Sequence, residues 1–153
     1  MRISLFEMML TLSTAVDFMS PEMNHHQIRV AYIAFRIGEE MGLPKEQLVD
    51  LVTASVIHDI GALSLQERID TLHFEIQDPH RHSEVGYRLV RQFPPFKKIA
   101  EIIRYHHENW TGFQVKSNYK EIPVESYIIH LADRIEVLIN KKEEILGQRD
   151  RIF

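Results

Sequence analysis

The chain has no cysteine. That excludes disulfides, thiolate metal sites and a cysteine nucleophile, and it is compatible with a reducing cytoplasm. Long apolar runs are also missing, and none reaches the roughly 18–20 residues of a membrane span. Met1 to Met19 is rich in Leu, Met and Phe. It carries Glu7 and Asp17 and lacks a basic leader and a small-residue cleavage site, so it does not read as a signal peptide. Neither sign of charge is in large excess. A net charge of −4 gives no general attraction to a nucleic-acid polymer, and an anionic substrate would need local positive charge, which bound cations can supply. Alternating strand patterns, internal repeats and low-complexity segments are absent too.

Histidine, by contrast, is plentiful. Nine are scattered along the chain, at positions 25, 26, 58, 73, 80, 82, 106, 107 and 130, with no tag-like tract. A hydrophobic share of 44% over 153 residues suits one globular domain with a substantial core, taken as residues 1–153.

The apolar periodicity predicts an all-α fold. Ile3 to Phe18 forms a first helix within an N-terminal segment 1–20. Ser20-Pro21 opens a second, which stops at Gly42, with the stripe Val30, Ile33, Ala34, Ile37 and Met41. Extended backwards by one turn and then another, that stripe reaches His26 and Glu22. Leu43-Pro44 opens a third helix, with Leu48, Leu51, Val52, Ser55 and Val56 facing inward. It runs into His58-Asp59 and ends at Gly61. Residues 62–79 read as mostly loop, with room for one short helix. After Pro79, a fourth helix carries Val85, Gly86, Leu89 and Phe93 on its inner face and His82 one turn upstream. Pro94-Pro95 breaks the chain. Phe96, Ile99, Ala100 and Ile103 mark a fifth helix leading to His106-His107. Pro123 starts the last, with Val124, Tyr127, Ile128, Leu131, Ile135 and Leu138 as its stripe and Asp133 beside it. A charged tail, residues 141–153, ends mid-pattern, which leaves a longer protein open.

His26, His58-Asp59, His82, His106-His107 and Asp133 thus come from five helices, each on or beside an apolar stripe. Any one of them could be a hydrogen-bonded core residue. Buried ionisable groups cost several kcal/mol unless paired. Five histidines and two or three carboxylates facing one core are hard to satisfy among themselves. Cations accept their lone pairs, so the pattern points to a metal site between the core helices.

The ordered motifs His26-x-x-Arg29-Val30, His58-Asp59-Ile60-Gly61 and Leu131-Ala132-Asp133-Arg134 resemble the HD superfamily of metal-dependent phosphohydrolases. His82-Ser83-Glu84-Val85-Gly86 and His106-His107-Glu108 resemble its HD-GYP subgroup, whose members hydrolyse cyclic di-GMP, a bacterial signalling nucleotide. The resemblance spans about Glu22 to Lys142. It implies an HD-domain bundle of six to seven helices and a centre of two or three divalent metals, iron or manganese favoured. It also implies a cytoplasmic enzyme, a cyclic dinucleotide or other nucleotide phosphoester as substrate, and a homodimer or fused sensory domain reached through the N-terminal helix.

Three departures accompany it. Ala62 stands where the subgroup has a lysine at the substrate phosphate. The loop after His106-His107-Glu108 keeps Trp110 and Gly112 but not the Gly-Tyr-Pro. Lys142 stands at a phosphate-binding arginine position.

In such a centre Asp59 is the natural bridge, since a carboxylate has two oxygens to divide between metals, and its role is to hold the nucleophilic water. His26, His58 and Asp133 would hold one metal, and His82, His106 and His107 the second. Glu22 would hold or support a third. Lys142 and Trp110 are candidate substrate contacts. Arg68, Arg81 and Arg104 are possible stand-ins for the lost lysine but read as solvated surface residues, and His130 reads as structural or exposed. Two alternatives stay open beside a cyclic di-GMP phosphodiesterase: a metal-bound regulatory module of weak activity, and a phosphohydrolase for another nucleotide.

Overall fold

The computed structural model describes residues 4–17, 25–72, 79–110, 122–140 and 146–148. Its described residues form seven α-helices and no strand: α1 Leu5–Asp17, α2 His26–Glu40, α3 Lys45–Val56, α4 Leu65–Thr71, α5 Pro79–Val90, α6 Lys97–Arg104 and α7 Val124–Leu138. A short 3₁₀ turn, Pro94–Phe96, joins α5 to α6, and a second, Leu146–Gln148, lies in the tail. Gln148 ties that tail to the end of α7, exchanging two hydrogen bonds with the Asn140 backbone.

Helix α3 lies at the centre, packed against α1, α2, α6 and α7, while α5 packs on α6 and α2 on α7. The core follows from the stripes. Val30 and Ala34 of α2, Leu51 and Ala54 of α3, Ile102 and Ile103 of α6, and Ile129 and Ala132 of α7 are fully enclosed. Helix α4 fills the segment expected to be mostly loop. Its start is written locally: the Ser64 hydroxyl accepts from the Glu67 N–H while the Glu67 carboxylate accepts from the Ser64 N–H, a reciprocal cap.

Three expectations need correction. Helix α5 is rotated by about one residue: Ser83, Gly86, Tyr87 and Val90 face inward, whereas Leu89 and Phe93 are exposed. Helix α7 likewise exposes Leu131 and Leu138 and buries Glu125, Ser126 and Glu136. These polar residues have partners on other elements, which makes their burial tolerable: Lys98 for Glu125, the Ile102 carbonyl for Ser126, and Arg29 with His26 for Glu136. Finally, α2 begins at His26. His25 has φ of 60°, in the left-handed region, so helical phase does not run back from His26 towards Glu22.

Candidate metal centre

Adjacent side chains on an α-helix point about 100° apart, so His58 and Asp59 cannot converge on one point while the helix continues. The backbone resolves this by ending α3 at Val56. Bonds three residues apart then tighten the chain, from Ile60 N–H to Ile57 O and from Ala62 N–H to Asp59 O. Helix α6 uses the same device. It ends at Arg104, and the turn Tyr105–His107, closed by Glu108 N–H to Tyr105 O, presents His106 and His107. Two helix C-termini therefore meet at the cluster, and their partial negative charge favours cations.

Gly61 brings α5 into place. A Cβ there would lie 1.9 Å from the His82 carbonyl oxygen and 2.4 Å from the Gly86 nitrogen. Backbone passes over backbone at this crossing, and that contact carries His82 to Asp59.

The result is a cluster split by one carboxylate. Asp59 Oδ1 lies 3.3 Å from His82 Nε2 and 3.8 Å from His106 Nε2. His107 Nε2 approaches His82 Nε2 at 2.8 Å. On the other side, Asp59 Oδ2 lies 3.2 Å from His58 Nε2 and 3.9 Å from His26 Nε2. Asp133 Oδ1 completes that half, 3.4 Å from His26 Nε2 and 4.0 Å from His58 Nε2. All seven residues are buried.

The contacts around the cluster fix which nitrogen faces inward. His58 Nδ1–H donates to Ser55 O at 2.8 Å, and His106 Nδ1–H to Ile103 O at 2.6 Å. A carbonyl can only accept, so Nδ1 carries the proton and Nε2 is left with a lone pair. His26 Nδ1 bonds Glu136 Oε2 at 2.6 Å, and the other Glu136 oxygen accepts from Arg29 Nε at 2.6 Å. Gln27 and Thr71 donate to Asp59 Oδ2. His26 Nε2, His58 Nε2 and Asp133 Oδ1 remain buried without a hydrogen-bond partner among the described residues. Three orphaned donor atoms facing each other are costly in an apolar core and suited to a cation. The cluster could hold metal ions, in the groups Asp59–His82–His106–His107 and His26–His58–Asp59.

Left to the protein's own charges, the halves differ. Burial pushes His26 towards the neutral form, but the Asp133 and Glu136 carboxylates beside its two nitrogens and the charge of Asp59 outweigh it and raise the group to about 10. His58 is raised too, the charge of Asp59 overcoming burial. Asp59 is held well below the usual carboxylate range, because His58 and His82 overcome its burial. In the other half, burial and then the electrostatic effect of neighbouring histidines push His106 down to about 3 and His107 down as well. The acidic half thus holds protons that a cation would displace, whereas His106 and His107 are already neutral and ready to donate.

His26, His58, Asp59, His82, His106, His107 and Asp133 are brought together as the sequence suggested. Glu22, His73 and Lys142 lie outside the described residues. Trp110 is 54% exposed and meets Tyr127 edge to face, with ring centres 4.9 Å apart. Arg68 is not a surface residue: it is 6% exposed and lines a small cavity with Asp59, Gln27 and Ser13. Arg81 and Arg104 pair with Glu67 and Glu84. Sequence reasoning missed Glu136, Gln27 and Thr71. Glu136, one turn after Asp133, was the most accessible of these by spacing. A much larger cleft, about 520 Å³, is lined by Tyr87, Arg91, Lys97, Lys98, Glu101 and Pro123 and includes no cluster residue, so size alone points away from the chemistry.

The HD domain family profile matches residues 24–138, and the chain belongs to that family. It is 30% identical over 149 residues to a cyclic di-GMP phosphodiesterase of Thermotoga maritima, covering 90% of this chain and 40% of the relative. It is 26% identical to the 3'3'-cGAMP-specific phosphodiesterase 2 of Vibrio cholerae, covering 96% of this chain and 32% of that protein. It is 23% identical to the cyclic di-GMP phosphodiesterase response regulator RpfG of Xanthomonas campestris pv. campestris, covering 86% and 37%. The chain therefore spans about a third to two fifths of the length of these relatives. No solved structure gives a significant match.

Proposed function

We propose that the chain is a metal-dependent phosphodiesterase domain acting on a cyclic dinucleotide. The observation that carries the reading is Asp59, whose two oxygens face two separate sets of buried imidazole nitrogens. That is the arrangement expected of a carboxylate shared between two cations. His26, His58 and Asp133 would hold one ion, His82, His106 and His107 the other, and Glu22 would support a third. An oxygen and nitrogen donor set without sulfur suits iron or manganese. A bound cation pair supplies the Lewis acidity that makes water a nucleophile near neutral pH and offsets the charge of a phosphodiester.

The protein's part is to hold the donors at fixed spacing. Glu136 and the Ser55 and Ile103 carbonyls orient three rings, and Gln27 and Thr71 hold the Asp59 carboxylate. Trp110 offers an exposed ring for a purine base, and Lys142 a phosphate contact. The named relatives favour a cyclic dinucleotide of the cyclic di-GMP or 3'3'-cGAMP kind; a cytoplasmic setting is part of the same proposal. Among the described residues no helix is long and apolar enough to cross a membrane. Helix α1 would join the domain to a second copy or to a sensory domain.

The test is to supply iron, manganese, zinc or nickel to metal-depleted protein and to follow cyclic di-GMP and 3'3'-cGAMP by chromatography. Linear dinucleotide or mononucleotide is the expected product. Absence of turnover with all four metals would remove the reading. One observation favours a weakly active regulatory module instead: Ala62, at the subgroup's lysine position, is fully buried and carries no charge. Nucleotide binding in a calorimeter without product would support that alternative.

A further inference from the structure

We propose that His130 is a positioning residue for the second half of the centre, holding the turn that carries His106 and His107. It lies on α7, three residues before Asp133, and is half-buried. Its Nδ1–H donates to the His106 carbonyl at 3.0 Å. Its ring stands edge-on to the His107 ring, with centres 6.0 Å apart and planes at 88°. One side chain therefore touches the backbone of one inward-facing histidine and the ring of the next.

The carbonyl needs such a donor. His106 is fully buried and lies two residues past the last residue of α6, where carbonyls run out of helical partners. The nearby turn is loosely held from within: the His106 N–H reaches Ile103 O at only 3.5 Å. The bond from His130 crosses from α7 and fixes the peptide between the two rings. Rotation of that peptide would swing both imidazoles. Helix α7 thus reaches both halves, through Asp133 on one side and His130 on the other. The bond also sets the His130 tautomer, with Nε2 unprotonated and directed away from the carbonyl.

This inference rests on the two-cation reading and concerns a residue that supplies no ligand atom to either half. Partners that orient metal ligands are commonly worth about 10–100-fold in metal affinity. The test is calorimetric titration of the metal-depleted 153-residue chain with Mn²⁺, with metal content measured after desalting. The expectation is two Mn²⁺ per wild-type chain. His130→Leu retains the first and weakens the second by about 10–100-fold. His130→Asn, whose amide nitrogen falls near the Nδ1 position, restores it to within about threefold, a rescue that loss of packing alone does not explain.

His130→Ala is read in the same way if the leucine variant does not fold. Two equally tight ions in the leucine or alanine variant overturn the proposal, as does an asparagine variant no better than these. A wild-type chain that never takes a second Mn²⁺ overturns the two-cation reading itself, and the proposal with it.

Discussion

The His26 side chain is held from both ends. Its Nδ1 is gripped by Glu136, itself clamped by Arg29, and its Nε2 faces Asp59 and Asp133. Glu136→Gln keeps the shape but removes the charge that fixes the ring and raises its basicity. Affinity for the ion in the His26 half should fall about 10–100-fold, read by Mn²⁺ titration, with the helical circular dichroism unchanged. Equal affinity in the variant would show that Glu136 only fills space. Glu136 also marks where sequence reading stops at this scale. Each cluster residue was legible because it is a polar residue on an apolar stripe. Glu136 lies on α7 outside the apolar stripe read for that helix, and its partners are more than a hundred positions away in the chain. Glu22 lies outside the described residues; its helical phase was reckoned through His25, where the backbone turns.

At the scale of elements, the centre depends on how helices end and cross. The His58-Asp59 and His106-His107 pairs each sit where a helix has just stopped. The first end was readable from Gly61, whereas the face of the second helix was carried on through its pair although α6 stops at Arg104. Nor were the exact faces of α5 and α7 readable. Counting large apolar residues placed Leu89, Phe93 and Leu131 inside, while the actual packing buries Ser83, bonded to the His80 carbonyl of its own helix, and Ser126 and Glu136 against partners from other helices. The α3–α5 crossing gives a sharp prediction. Gly61→Ala sets a Cβ into backbone atoms of His82 and Gly86 that have no rotamer to give. It should cost about 3 kcal/mol or more by urea denaturation and displace His82 from Asp59. Gly86→Ala meets the Cγ2 methyl of Ile103 at 3.1 Å, a milder contact with a side chain rather than with backbone, and should cost clearly less. Equal effects of the two substitutions would contradict backbone contact at Gly61.

Over the whole molecule, the two halves of the centre pull stability in opposite directions when no metal is supplied. His26 is raised from 6.5 to about 10. Its contribution is complete below about pH 6.5 and is lost as pH rises towards 10. His106 is lowered from 6.5 to about 3, so its contribution is complete above 6.5 and is lost as pH falls towards 3. Asp59, also lowered, adds to the acid limb. In chelator, the urea midpoint should therefore peak near pH 6.5 and fall on both sides. A bound cation replaces the His26 proton, so metal should flatten the alkaline limb. A midpoint that still rises between pH 6.5 and 9 in chelator would contradict this assignment of protons.

The proposed function depends on one carboxylate serving two ions. Electron paramagnetic resonance of the chain loaded with two equivalents of Mn²⁺ tests that directly. Two ions joined through Asp59 should give the broad spectrum of a spin-coupled pair, which Asp59→Asn abolishes. An isolated six-line spectrum at every loading would contradict the account.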